Sequence, residues 1–442
     1  MATQTHVIEE VPVDSLTPYT GNARRHSKKP IQQIARSIER FGFTNPILVD
    51  DELRILAGHG RVAAAKLLGI KTVPIIRISH LSAAERRAYI LADNKLALNA
   101  GWDRELLAIE LQGLLEVDFD LEVTGFSLAE IDVALDEAAE SATADDSGTE
   151  DDLPDLVDDA VTRPGDLWAL GRHKLICEDA GSPEPYSLLL ADETVDLIFT
   201  DPRYDMSIDG EVGGSARARC PEFAMGAGEM ASAAFTQFLT ETLGHAELRC
   251  RNGAIAFVCM DWRHMRELLA AGDSVFSELK DLCIWTKANS SMGAFYRGKH
   301  QLIFVFKVGD APHINTFGRG QAGRYRTNVW EYPGIRTMGS ARLDELDLAT
   351  RSTVKSVALV ADAIKDCSKR GQIVLDPFGG SGTTLIAAEK SGRIARLIES
   401  DPTYCDAILR RFERVTGKQA RLSATGDSFE DVEASRSRAV LR

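Results

Sequence analysis

Two short runs hold the residue types best suited to chemistry. The first is Asp376-Pro377-Phe378-Gly379-Gly380-Ser381-Gly382-Thr383-Thr384, which follows the apolar run IVL (373–375) and opens a helical pattern. Three glycines let the backbone turn tightly and approach a ligand closely, and the start of the helix offers unpaired N–H groups. Glu399 closes the next predicted strand, 23 positions after Asp376, where an acid can accept hydrogen bonds from ribose hydroxyls. The run contains no Gly-Lys-Ser/Thr and does not match Gly-x-Gly-x-x-Gly. A phosphate cradle and a dinucleotide fingerprint are therefore set aside in favour of a nucleoside ligand without a pyrophosphate.

The second run, Thr200-Asp201-Pro202-Arg203-Tyr204, also follows an apolar strand pattern, VDLIFT (195–200). Asp-Pro by itself is a common way to start a turn; at a strand end of the same sheet it acquires a further use. Methylating an exocyclic amine requires acceptors for the amine hydrogens, so that the nitrogen lone pair is free to attack. Asp201 and the Pro202 carbonyl can be those acceptors, and Tyr204 can stack on a base turned out of a duplex.

The elements that must position these runs read as an α/β pattern. VDLIFT (195–200), AIAFVCM (254–260), DLCIWT (281–286), LIFVF (302–306), IVL (373–375) and IARLIE (394–399) are near-continuous apolar strands. Helices are predicted at 233–248, 357–367, 383–390 and 402–415. Buried strands alternating with helices imply a Rossmann-like, mostly parallel sheet covered on both faces, with ligands beyond the carboxyl ends of the strands. Ahead of this region, apolar residues at 31, 34, 35, 38 and 41 mark a helix, the strand PILVD follows, and 54–68 and 82–98 give two further helical units. Ser127 with Glu130 three residues on reads as a capping box for a helix running to Ala139.

Charge marks the joint between the two regions. The net charge is −15, yet residues 136–160 hold eleven acids and no base, leaving −4 for the remainder. That segment is short of aromatics and rich in Ser, Thr and Asp, so it reads as a linker. By contrast, residues 287–342 carry nine bases against two acids, a local basic face of the kind that meets phosphates. The predicted division is 1–103, a helical extension at 104–139, a linker at 140–162, a large domain at 163–420 with its basic segment at about 287–345, and a frayed tail at 421–442. Seven scattered cysteines, never spaced Cys-x-x-Cys, argue against a disulfide framework or a zinc site and for a reducing cytoplasm. No signal peptide or membrane-spanning run is evident.

With both runs in view, residues 165–416 resemble the DNA amino methyltransferases whose motif is Asp-Pro-Pro-Tyr, in the permuted order where that motif precedes the cofactor loop; Asp201 lies 175 residues before Asp376. The resemblance implies a site-specific enzyme that moves a methyl group from S-adenosylmethionine to a base amine of double-stranded DNA. Asp376, Phe378, Gly380, Ser381, Gly382, Thr383 and Glu399 would hold the cofactor, and Asp179, in the Glu178-Asp179 step after KLIC, would contact its adenine. Thr353 and Lys355, in Arg351-Ser352-Thr353-Val354-Lys355-Ser356, resemble the family segment that holds the methionine part. Arg297, Lys299, Arg319, Arg324 and Arg326 fall where the target-recognition region is expected. No metal is implied, since a sulfonium is already a good leaving group. An aspartate opening the tetrad is more typical of adenine-N6 enzymes than of cytosine-N4 ones, which remain the alternative. Arg203 replaces the family's second proline, Asp205 its asparagine, and the 351–356 segment differs at three positions. Lost prolines loosen loops that should be preorganised, and Arg203 could pair with Asp201 and occupy its lone pairs. A DNA-binding protein with an inert tetrad is the alternative from another class.

The N-terminal region has its own resemblance. Leu16, Pro18, Asn22 and Arg24, then a helix, PILVD and Ala57-Gly58-His59-Gly60-Arg61-Val62-Ala63-Ala64 look like the nucleotide-binding domain of ParB partition proteins. The family box is Gly-Glu-Arg-Arg where this chain has Gly-His-Gly-Arg. The resemblance implies a nucleotide at Gly58, Gly60 and Arg61 without hydrolysis, and is compatible with a homodimer. The cluster Arg24–Lys29 offers a backbone contact to DNA, although such runs are usually only solvated.

Overall fold

The computed structural model describes residues 7–19, 28–99, 101–117, 119–142, 150–154, 156, 159–202, 229–291, 296, 298–316, 326–332 and 354–440. The chain divides into two compact units, 1–142 and 143–442. In the first, β1 (Ile8–Pro12), β2 (Ile47–Val49), β3 (Ile55–Ala57) and β4 (Thr72–Arg77) form a sheet in the order β1-β4-β2-β3. Helix α1 (Lys28–Phe41) lies against α2 (His59–Leu67), whose Val62 and Ala65 are buried with Ile47, Val49, Ile55, Val73 and Ile75. Helix α3 (Ala83–Asn99) begins at a Ser82–Glu85 capping box that the sequence reading did not single out.

Helices α4 (Arg104–Glu116) and α5 (Leu128–Ala142) close on each other around Ala108, Leu111, Leu121, Ile131, Ala134 and Leu135. The box at the start of α5 is formed: Ser127 N–H donates to Glu130 Oε2 at 2.7 Å, and Glu130 N–H donates to Ser127 Oγ at 3.3 Å.

The second unit runs β5 (Leu167–Leu170), β6 (His173–Cys177), α6 (Glu184–Leu190), β7 (Val195–Thr200), α7 (Glu229–Glu247), β8 (Cys250–Met260), α8 (Met265–Val275), β9 (Glu278–Ser291), β10 (Gly298–Lys307) and β11 (Val329–Glu331). It continues through α9 (Val357–Cys367), β12 (Ile373–Asp376), α10 (Thr383–Lys390), β13 (Ile394–Glu399), α11 (Pro402–Thr416), β14 (Ala420–Leu422) and α12 (Phe429–Val440). Among the described residues these make one sheet, β11-β9-β10-β8-β7-β12-β13-β6-β5-β14. Its centre, β8-β7-β12-β13-β6, is parallel throughout, while β10 and β5 pair antiparallel with their neighbours on either flank. A strand buried on both faces looks the same in sequence whichever way it pairs, which is why the antiparallel flanks were not legible.

Both faces of this sheet are covered. Ile198 is buried with Leu189, Leu239, Leu243 and Leu268 from α6, α7 and α8. Its neighbours Leu197 and Phe199 are buried with Val360, Ile364 and Ile386 from α9 and α10. The period-2 alternation of a strand thus feeds two cores.

Two segments depart from the sequence reading. The tail forms α12, which buries Phe429 and Val432 and pairs Arg436 with Asp166; among the side chains described there, two apolar residues face inward, too few to betray a helix by pattern. The acidic stretch is tied down at residues 150–152: the Glu150 carbonyl accepts from Arg411 Nη2 at 2.7 Å, and Asp151 Oδ1 accepts from Val357 N–H at 2.9 Å. Among the described residues no helix is long and apolar enough to cross a membrane.

Candidate functional site

Strands β7 and β12 are parallel neighbours, with Leu197 beside Val374 and Ile198 beside Leu375. The two runs singled out by sequence therefore leave the sheet at the same rim. A hydroxyl joins them: Thr200 Oγ1 donates to Asp376 Oδ1 at 2.9 Å. Asp376 also accepts from Thr384 Oγ1 at 2.6 Å and from Phe378 N–H at 3.1 Å. Burial pushes its carboxyl up to about 7, against the pull of these donors.

The glycine run turns as its composition predicts. Gly380 and Gly382 take positive φ, +52° and +77°, and a Cβ on Gly382 would stand 3.1 Å from Ile408. Gly382 is the N-cap of α10. Behind the turn lies Arg411, fully buried on α11, which donates to the Ser381 carbonyl at 2.8 Å and to Thr383 Oγ1 at 3.2 Å. Burial lowers the Arg411 guanidinium to about 10. Glu399, at the end of β13, accepts from Gly380 N–H at 2.7 Å and from Asp401 N–H at 2.9 Å. These bonds fix the Glu399 carboxylate, an acceptor-only group, in the cavity wall.

A cavity of about 280 Å³ opens at this rim, near the lower end of the roughly 300–1,000 Å³ usual for small-ligand sites. Asp179, Asp201, Lys355, Asp376, Phe378, Gly380, Ser381, Thr383 and Glu399 all line it. Phe238 of α7 adds an apolar wall, its ring 5.8 Å from that of Phe378. Asp179 is exposed and accepts from Gly181 N–H at 2.9 Å.

Asp201 is held from two sides. Lys355 Nζ donates to its Oδ2, and Gln301 Nε2 donates to its Oδ1 at 3.2 Å. Among the described residues the carboxylate's cation is Lys355, which the sequence reading had assigned to the cofactor. Lys287, counted from sequence only as part of the basic segment, sits 4.8 Å over the Trp285 ring. Burial, reinforced by the charge of Lys355 and opposed by Asp201, lowers it to about 8.

Thr200, Gln301, Phe238 and Arg411 were missed as well. Thr200 was quoted at the head of the second run but given no role, and Gln301 left a trace as a polar residue leading the buried run LIFVF. Among the described residues no group of three or more His, Cys, Asp or Glu is arranged to hold a metal.

Other expectations fall elsewhere. Arg203, Tyr204, Arg297, Arg319, Arg324 and Thr353 lie outside the described residues. Lys299 is exposed on β10. Arg326, expected at a DNA-facing surface, turns inward: its Nε donates to Asp366 at 3.0 Å, its Nη1 to the Tyr332 hydroxyl at 2.6 Å, and it lies 4.9 Å over the Trp330 ring.

In the N-terminal unit, Gly58 takes φ +100° and caps α2, while Gly60 is buried. Arg61 folds back, donating to the carbonyls of Asn45 at 2.7 Å and Pro46 at 3.0 Å, and burial lowers its guanidinium below the usual value.

Comparison with known proteins finds family matches along three stretches of the chain. A family model described as DNA methylase matches residues 195–410, one described as ParB-methyltransferase HTH domain matches 105–164, and one described as ParB N-terminal domain matches 1–95. The second of these runs across both the predicted helical extension, from residue 105, and the acidic stretch that follows it. The chain is 45% identical over 76 residues to the ParB-like nuclease domain-containing protein YnaK of Escherichia coli (strain K12), covering 17% of this chain and 87% of that protein. It is 37% identical over 91 residues to the Type II methyltransferase M.ScaI of Streptomyces caespitosus, covering 21% of this chain and 29% of that protein. Among solved structures, the PvuII DNA methyltransferase (cytosine-N4-specific) aligns over 63% of this chain and 94% of its own at 16% identity, with a TM-score of 0.40.

Proposed function

We propose that this chain, which belongs to the ParB-like proteins by its N-terminal domain and is a DNA methylase of the N6/N4 amino class by residues 195–410, transfers a methyl group to adenine N6 in double-stranded DNA. What carries the reading is the meeting of Asp201 and the glycine turn in one cavity, on adjacent parallel strands. The cofactor of this class is S-adenosylmethionine, and the residues present suit it. Glycines at 380 and 382 clear backbone space, the Phe378–Phe238 wall is apolar, and Glu399 and Asp179 offer acceptors for sugar and base. Acids at 201 and 376 favour a cationic ligand, and Lys355 can meet its carboxylate. When bound, the cofactor supplies an electrophilic methyl on a sulfonium.

The chain's own residues do the remaining work. Asp201 and the Pro202 carbonyl accept the hydrogens of the target amine, which leaves its lone pair directed at the methyl. Tyr204 stacks on the base rotated out of the duplex. Thr200 and Thr384 fix Asp376, and Arg411 fixes the turn from behind, so the cavity is preorganised before ligand arrives. The aspartate at the first tetrad position favours adenine over cytosine as target. In the N-terminal domain, Gly58, Gly60 and Arg61 are proposed to hold a nucleotide; protection from proteolysis by millimolar CTP or ATP is the result expected there.

Incubation with methyl-labelled cofactor and DNA, followed by digestion to nucleosides, tests the main reading. Label in N6-methyladenosine is the expected outcome. Label in N4-methylcytidine would replace adenine by cytosine, and cofactor binding without label transfer would favour a DNA-binding protein with an inert tetrad.

A further inference from the structure

The cavity is crowded with acids. Among its described lining residues Glu178, Asp179, Asp201, Asp376 and Glu399 carry carboxyls, and Lys355 is the one cation. The Lys355 side chain is 4% exposed, and that of Asp201, to which it donates, 31%. Its backbone is fixed in place. Ser356 caps α9 by accepting from Leu359 N–H at 3.4 Å, Asp151 holds the next amide, and the Lys355 carbonyl accepts from Thr383 Oγ1 at 3.4 Å. What can move is the side chain, four methylenes carrying a compact charge.

Two demands converge on that one ammonium. An amino-acid moiety entering this cavity brings a carboxylate into a wall of carboxylates, and Lys355 is the described lining group able to neutralise it. A base amine presented to Asp201 needs an oxygen whose lone pairs are not already held by an ammonium. We infer that Lys355 is a positioning residue that passes from Asp201 to the carboxylate of the cofactor, so that cofactor binding releases Asp201 for the target amine. This rests on the methyltransferase reading above and deepens it. It makes cofactor and target base mutually reinforcing ligands, each tightening the other by the same factor, commonly about 5- to 150-fold.

The exchange is tested without DNA, by calorimetric titration of the full chain with S-adenosylhomocysteine and with its decarboxylated counterpart. If Asp201 competes for Lys355, Asp201→Asn tightens S-adenosylhomocysteine about 5-fold or more and leaves the decarboxylated ligand unchanged. In a Lys355→Met background, S-adenosylhomocysteine binds more weakly and the gain from Asp201→Asn disappears, because the two substitutions act through one contact. Lys355→Gln serves where the Met variant fails to fold. Equal tightening of both ligands, no tightening, or a gain that survives loss of Lys355 would each overturn the exchange while leaving the enzyme reading intact. Failure of the unmodified chain to bind S-adenosylhomocysteine at all would instead bring down the reading beneath it.

Discussion

Asp376 has the most displaced carboxyl in the site, held near 7 by burial although three donors face it. Its folded value lies above the ordinary 3.8. The stability it contributes is therefore fully present below that ordinary value and is lost as pH rises through about 7. The melting temperature of the ligand-free protein is expected to fall between about pH 4 and pH 7, the interval between those two values, and Asp376→Asn to flatten that fall, as read by calorimetry. A cationic ligand favours the ionised form, so affinity for S-adenosylmethionine should rise over the same window in the unmodified chain and lose that rise in the variant. At Asp201 the expectation concerns rate rather than binding. Asp201→Asn should lower single-turnover methylation by about 10²–10³-fold, the usual cost of removing one preorganised polar contact, with S-adenosylhomocysteine affinity undiminished by titration. Undisturbed methylation in this variant would remove Asp201 from the chemistry.

At the scale of elements, the glycine turn is held from α11 and β13 as well as by its own backbone. Arg411 binds the Ser381 carbonyl on one side and the Glu150 carbonyl on the other, linking the glycine turn to the acidic segment. Arg411→Met leaves those part-buried acceptors unpaired, and a loss of about 1–3 kcal/mol is expected. Denaturant unfolding measures it, and weaker S-adenosylhomocysteine binding should accompany it. Helices α9 and α10 fell at their predicted bounds, 357–367 and 383–390, because local signals set them: Ser356 caps one and Gly382 the other. Helix α8 was not foreseen. It carries Gly272, where a Cβ would come 2.5 Å from Phe306, so the glycine exists for close packing against β10 and interrupts the helical pattern. The edge strand β14 was missed for a related reason: three residues are too few to show a period.

At the scale of the whole molecule, each unit encloses its own apolar clusters, the second around a single ten-stranded sheet among the described residues. Calorimetry should resolve two unfolding transitions, and S-adenosylhomocysteine at 100 times its Kd should stabilise the one belonging to 143–442 by about 2.7 kcal/mol. A single transition shifted as a whole would count against separate units. The sequence by itself determined which strand ends carry the two runs, the glycines that allow the turn, most helix bounds and the acidic joint. Each of these is written in neighbouring residues, by burial period, capping groups and positive φ. Only the tertiary structure decided that Lys355 and Gln301 grip Asp201 from 154 and 100 residues away, that Arg411 reaches a carbonyl 261 residues distant, and that Arg326 turns inward. A charged side chain takes whichever partner packing brings within reach, and no local pattern encodes that choice.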